Sequence, residues 1–98
     1  MVYELLTTGK ENARTARELA KQLDCDIRII TEQIEKERRE GQPICAATGE
    51  KPGYYIAADA EELEKYCETL KARGIEIFKT RQALVKTLKK ILEAKQEA

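Results

Sequence analysis

Leu63, Leu70, Ile77, Leu84 and Ile91 recur every seven residues through the last part of the chain. A seven-residue apolar repeat kept up over five members, with no proline among them, is compatible with one long helix and little else. Residues 59–95 therefore read as one helix or two collinear ones. Asp59 and Glu62 supply a start signal. Tyr66, Cys67, Phe78, Val85, Leu88 and Leu92 widen the stripe, and Gly74 admits a kink. At 1.5 Å per residue such a helix is roughly 50 Å long, more than a domain of about sixty residues covers. We expect its first turns, between Leu63 and Leu70, to pack on the preceding domain. The rest is expected to pair with a second copy through Leu70, Ile77, Phe78, Leu84, Leu88 and Ile91.

Charge along this helix is segregated. Residues 59–73 hold five acidic and three basic side chains, and residues 74–98 hold three acidic and six basic. Acid first and base last suits the helix dipole. It also favours two copies running antiparallel, although the sequence leaves parallel pairing open.

With 98 residues, the chain suits one domain with an appended helix. Eighteen basic residues balance eighteen acidic ones, so no bulk field draws it to nucleic acid or to an anionic membrane. There is no histidine, which removes imidazole acid–base chemistry and imidazole metal ligands. Cys25, Cys45 and Cys67 are widely spaced and odd in number. We read them as small, partly buried apolar residues of a reducing compartment, not as a disulfide or zinc framework. No apolar run has membrane-spanning length and no signal peptide is expected, so a cytoplasmic location is expected.

Upstream, Val2, Leu5 and Leu6 fall at helical spacing and predict a first helix over residues 1–8. Thr15 and Glu18 fit a capping box that opens a second helix, with Ala16, Leu19, Ala20 and Leu23 on one apolar stripe. A break at "DCD" leads to a third helix, capped by Asp26, with Ile27, Ile30 and Ile34 on one face and Gly41 as its stop. "PICAA" and "YYIA" then flank "TGEKPG", a turn between two short strands, with Pro43 confining the first strand to its start or to an edge.

Two helices, a tight turn between them and an immediate hairpin form the plan of a winged helix. The expected class is α+β, mostly α: a winged helix-turn-helix over residues 1–58, with a β-hairpin wing, and a long coiled-coil-like helix over 59–98. The segment "ARELAKQLDCDIRIITEQIEKERREGQPICAATGEKPGYYIA" resembles the N-terminal winged helix-turn-helix domain of biotin-operon-repressor-like regulators. The matching positions are Leu19, Ala20, Leu23, Ile30, Ile34, Arg38, Gly41, Pro43, Ile44, Gly53, Tyr54, Tyr55 and Ile56. The chain is also similar to small prophage-type winged-helix proteins with a helical C-terminal extension. Departures are Asp26 and Ile29, where that pattern carries Ser or Thr, and Glu37, where it carries an apolar residue.

The resemblance implies a transcriptional regulator that binds duplex DNA. Arg28, Ile29 and Glu32 would meet base edges, and Lys36 and Arg39 phosphates. Lys51 at the wing tip and Thr15 with Arg17 at a helix start would hold the backbone. Against this stands a self-neutralising face. Arg28–Glu32, Glu32–Lys36 and Glu35–Arg39 all have i, i+4 spacing, which would leave a protein-interaction module with little DNA affinity. No enzyme is read, because neither paired carboxylates nor a nucleophile–base set can be placed. "GEKPG" lacks the phosphate-loop spacing. No cofactor, metal or small-molecule substrate is expected.

Overall fold

The computed structural model describes residues 1–97. The chain is mostly helical with one two-stranded antiparallel hairpin. In order come 3-10 turns at Tyr3–Leu5 and Lys10–Asn12, α1 (Ala16–Leu23), α2 (Ile27–Arg39), β1 (Ile44–Ala47), β2 (Gly53–Ile56) and α3 (Ala60–Glu97). Two compact units result, Met1–Tyr66 and Cys67–Ala98. The first includes the opening turns of α3.

The starts and stops follow local chemistry. Thr15 Oγ1 accepts the Glu18 N–H at 3.1 Å and caps α1. The reciprocal half of the capping box is missing, since Glu18 bonds the Thr15 hydroxyl and pairs with Arg14 instead. Asp26 takes the cap position of α2, yet its side chain makes no cap bond. Gly41 closes α2 at φ +105°, a conformation that costs glycine nothing. Asp59 Oδ1 accepts the Glu62 N–H at 2.8 Å, and Glu62 reaches back to the Ala58 N–H. Past that cap α3 runs as one helix through Gly74.

The hairpin divides the core of the first unit in two, because strand side chains alternate between faces. Ile44 pairs with Ile56, and both join Val2, Leu6, Leu19, Ala20, Ile30 and Ile34. Cys45 pairs with Tyr55, and both join Ala47 and Tyr66, with Leu63 packed alongside. Neither tyrosine of "YY" is left outward: Tyr55 is buried and Tyr54 packs on the larger cluster.

Four expectations are corrected here. The N-terminal segment is no helix beyond a 3-10 turn at Tyr3–Leu5. The Val2 and Tyr3 N–H groups go to Glu37, and Thr7 and Gly9 are drawn into backbone bonds with Ile56 on the free edge of β2. Leu23 and Ile27, placed on the buried stripes, are 46% and 45% exposed, since they flank the turn at the outer end of both helices. Leu70 is exposed, so of the pair Leu63 and Leu70 only the first is packed in a core cluster. The cysteines are all thiols but not alike: Cys45 is buried, Cys25 half-buried and Cys67 exposed.

Candidate nucleic-acid interface

The outward face of α2 is positioned by its inward one. Ile30 and Ile34 are 1% exposed and lock the helix against α1 and the hairpin. At 100° per residue this turns Arg28, Ile29, Glu32, Lys36 and Arg39 to solvent. All five are exposed. Glu32, Lys36 and Arg39 share a shallow groove along the helix with Thr31, Glu35 and Glu40.

Pairing on this face differs from the sequence expectation. Arg28 Nε holds Glu32 at 3.0 Å, as expected. Glu35, however, pairs with Arg38 at 2.8 Å and not with Arg39. The reason lies in Arg38. Its Nε donates to the Ile44 carbonyl at 2.9 Å and its Nη2 to the Tyr66 hydroxyl at 3.0 Å. Its guanidinium also lies over the Tyr54 and Tyr66 rings, 5.8 and 5.3 Å from their centroids. Fixed so firmly, it offers its remaining nitrogen to Glu35 at no further entropic cost. Glu32 is likewise taken by Arg28. Among the described residues, Lys36 and Arg39 therefore have no ion pair.

The other expected contacts lie elsewhere. Lys51 sits in the turn between the strands, in a separate shallow groove with Lys10, Glu11, Thr48 and Glu50, and donates to the Glu11 carbonyl at 3.5 Å. Arg17 is exposed on the first turn of α1 without an ion pair among the described residues. Thr15 has its hydroxyl engaged by the Glu18 backbone and side chain.

Sequence reasoning missed the part played by Glu37. It is 1% exposed, with Oε2 accepting the Val2 N–H at 2.8 Å and Oε1 the Tyr3 N–H at 2.7 Å. Burial pushes its pKa up, but these two bonds, one from Gln33 and the positive amino terminus outweigh it, and the net shift is downward. The sequence signal was an acid at a position whose helical neighbours Ile30 and Ile34 are core. Among the described residues no group of His, Cys, Asp and Glu is arranged to hold a metal ion, and no helix is long and apolar enough to cross a membrane.

No family model, curated protein or solved structure matches this chain.

Proposed function

We propose that this chain is a winged helix-turn-helix regulator of transcription, of bacterial or prophage type, that works in the cytoplasm and binds duplex DNA as a homodimer. The observation that carries this reading is the release of Lys36 and Arg39. On a neutral chain, affinity for DNA depends on cations that are not already spent on neighbouring carboxylates. Arg38 takes Glu35 and Arg28 takes Glu32, so two neighbouring cations remain on the exposed face of α2. The Arg28–Glu32 pair is itself solvent-exposed and weak, so a guanine edge can replace it.

Backbone pairing supports the same reading. Arg14 and Tyr54 exchange two backbone hydrogen bonds, 2.9 and 2.7 Å, on the edge of β2 away from β1. The segment before α1 thus lies against the hairpin through one antiparallel bridge, which steadies the wing. The exposed stripe of α3 would supply the dimer contact and so the half-site spacing.

Fluorescence anisotropy of labelled duplex DNA, at low and then moderate salt, tests the proposal. Saturable binding that weakens with salt is expected. Arg28→Ala should lower affinity and alter sequence preference, whereas Lys51→Ala should lower affinity alone. Joint replacement of Lys36 and Arg39 by Ala should flatten the salt dependence by about two phosphate contacts. Absence of binding at low salt would reject DNA as the ligand.

A further inference from the structure

The exposed stripe of α3 contains two residues that nothing in the chain accounts for. Its seam alternates by four and three: Leu70, Gly74, Ile77, Arg81, Leu84 and Leu88. Four of these are large and apolar, and all four are exposed, between 42% and 69%. The other two are Gly74 and Arg81. Glycine is the poorest helix former after proline, and a Cβ at Gly74 would meet nothing within 4 Å. No close approach within the chain calls for glycine there. Arg81 is exposed in the middle of an apolar groove lined by Ile77, Thr80, Leu84, Val85 and Leu88. Its helical neighbours at three and four residues are Ile77, Phe78, Leu84 and Val85, so its own helix offers no carboxylate.

A second copy laid antiparallel accounts for both. We propose that α3 pairs with α3 of another copy about a two-fold axis between Ile77 and Phe78, so that the Arg81 stem of each copy lies across the Gly74 notch of the other. In this register Cys67 faces Leu88, Leu70 faces Val85, Ile77 faces Phe78, and Leu84 lies against the Lys71 stem. A long arginine then crosses the partner backbone where no side chain stands and carries its charge out to water. In a parallel pair the two Arg81 side chains meet in one layer and the two glycines leave a void in another. That arrangement costs both repulsion and packing.

The charge of the helix agrees. The antiparallel register sets the acidic residues 59–73 of one copy beside the basic residues 74–98 of the other. Glu64 and Lys89, both exposed and without an ion pair in their own chain among the described residues, come twice within two residues of the same level, about 3 Å along the axis. Thr80 and Thr87 border the seam with their hydroxyls bonded back to the Glu76 and Ala83 carbonyls, which leaves their methyl groups for the interface.

The proposal rests on the homodimer reading and adds direction and register to it. The test uses the full chain with Cys25→Ser, which leaves Cys67 as the exposed cysteine. Sedimentation gives the oligomeric state, and a spin label on Cys67 gives the distance between copies. A dimer with labels about 33 Å apart is expected, since the two Cys67 positions are separated by 21 residues of helix rise and one helix diameter. A dimer with labels in near contact would overturn the antiparallel register and leave the homodimer standing. A monomer at high micromolar concentration would overturn both, and the stripe would then belong to a helix of another protein. Gly74→Leu provides the second measurement. It improves helix propensity and adds apolar surface, so an ordinary seam would bind more tightly. Filling the notch should instead weaken dimerisation by about tenfold, the size of an overpacking penalty. Unchanged or tighter association would reject the notch.

Discussion

The Glu37 carboxylate accepts the backbone N–H of Tyr3 at 2.7 Å, across 34 residues of sequence. With the bond from Val2, it ties the start of the chain to the last turns of α2. A buried acid at an otherwise apolar helical position here acts as a cap for a segment whose own helical structure is a single 3-10 turn.

Returning that position to an apolar residue should therefore destabilise the fold. Glu37→Leu would leave the Val2 and Tyr3 N–H groups unpaired, a loss of about 3 kcal/mol in urea unfolding. Glu37→Gln, which keeps one acceptor, should lose less. The pH dependence has a definite sign. The folded pKa lies below the ordinary 4.5, so the contribution is complete above pH 4.5 and is lost as pH falls through the folded value. Glu37→Gln should remove that part of the acid limb, and an unchanged acid limb would show that Glu37 does not set it.

Arg38 joins α2, β1 and α3 with one planar group. Arg38→Lys preserves the charge but cannot hold the Ile44 carbonyl, Glu35 and Tyr66 together. A loss of about 2 kcal/mol is expected. Glu35 is then free to pair with Arg39, so on the proposed DNA-binding reading affinity for duplex DNA should fall as well, beyond any effect of stability. Equal affinity in a folded Arg38→Lys protein would detach DNA binding from the pairing on α2.

Gly53 opens β2 at φ +140°, and a Cβ there would stand 2.5 Å from the Arg14 backbone. Gly53→Ala must push Arg14 away and adopt a backbone conformation hostile to alanine. It should cost about 2 kcal/mol or more, and amide exchange at Arg14 and Tyr54 should quicken first. Preserved protection at both amides would show that this edge tolerates a side chain.

Burial raises the Tyr55 hydroxyl to about 12, helped by the nearby charges of Cys45 and Glu62, by its hydrogen bond with Cys45 and by Tyr66. The unfolded chain loses this proton near pH 10, so the contribution is complete below pH 10 and disappears as pH rises through about 12. This loss amounts to at most about 3 kcal/mol. Tyr55→Phe should flatten stability between those two pH values when unfolding is followed by circular dichroism. An alkaline limb identical to that of the parent protein would assign the loss to other groups.

Much of the architecture was legible in residue order alone. The Thr15 and Asp59 caps, the Gly41 stop, both strands and the unbroken α3 all rest on interactions within a few residues, and periodicity records such interactions directly. The long-range choices were not legible. Glu35 has acceptable partners at both Arg38 and Arg39, and i, i+4 spacing favours the second. Only Tyr66 and Ile44, brought in from 28 and six residues away, hold Arg38 where it wins. The N-terminal residues have helical spacing, yet Glu37 and the open edge of β2 claim their backbone groups. Leu23 and Ile27 satisfy the stripe but stand where the two helices end. Local sequence thus determined the elements of this protein, because each is closed by its own neighbours. Only the tertiary structure decided which charges stay free and which apolar residues stay wet, because those depend on groups that sequence distance does not order.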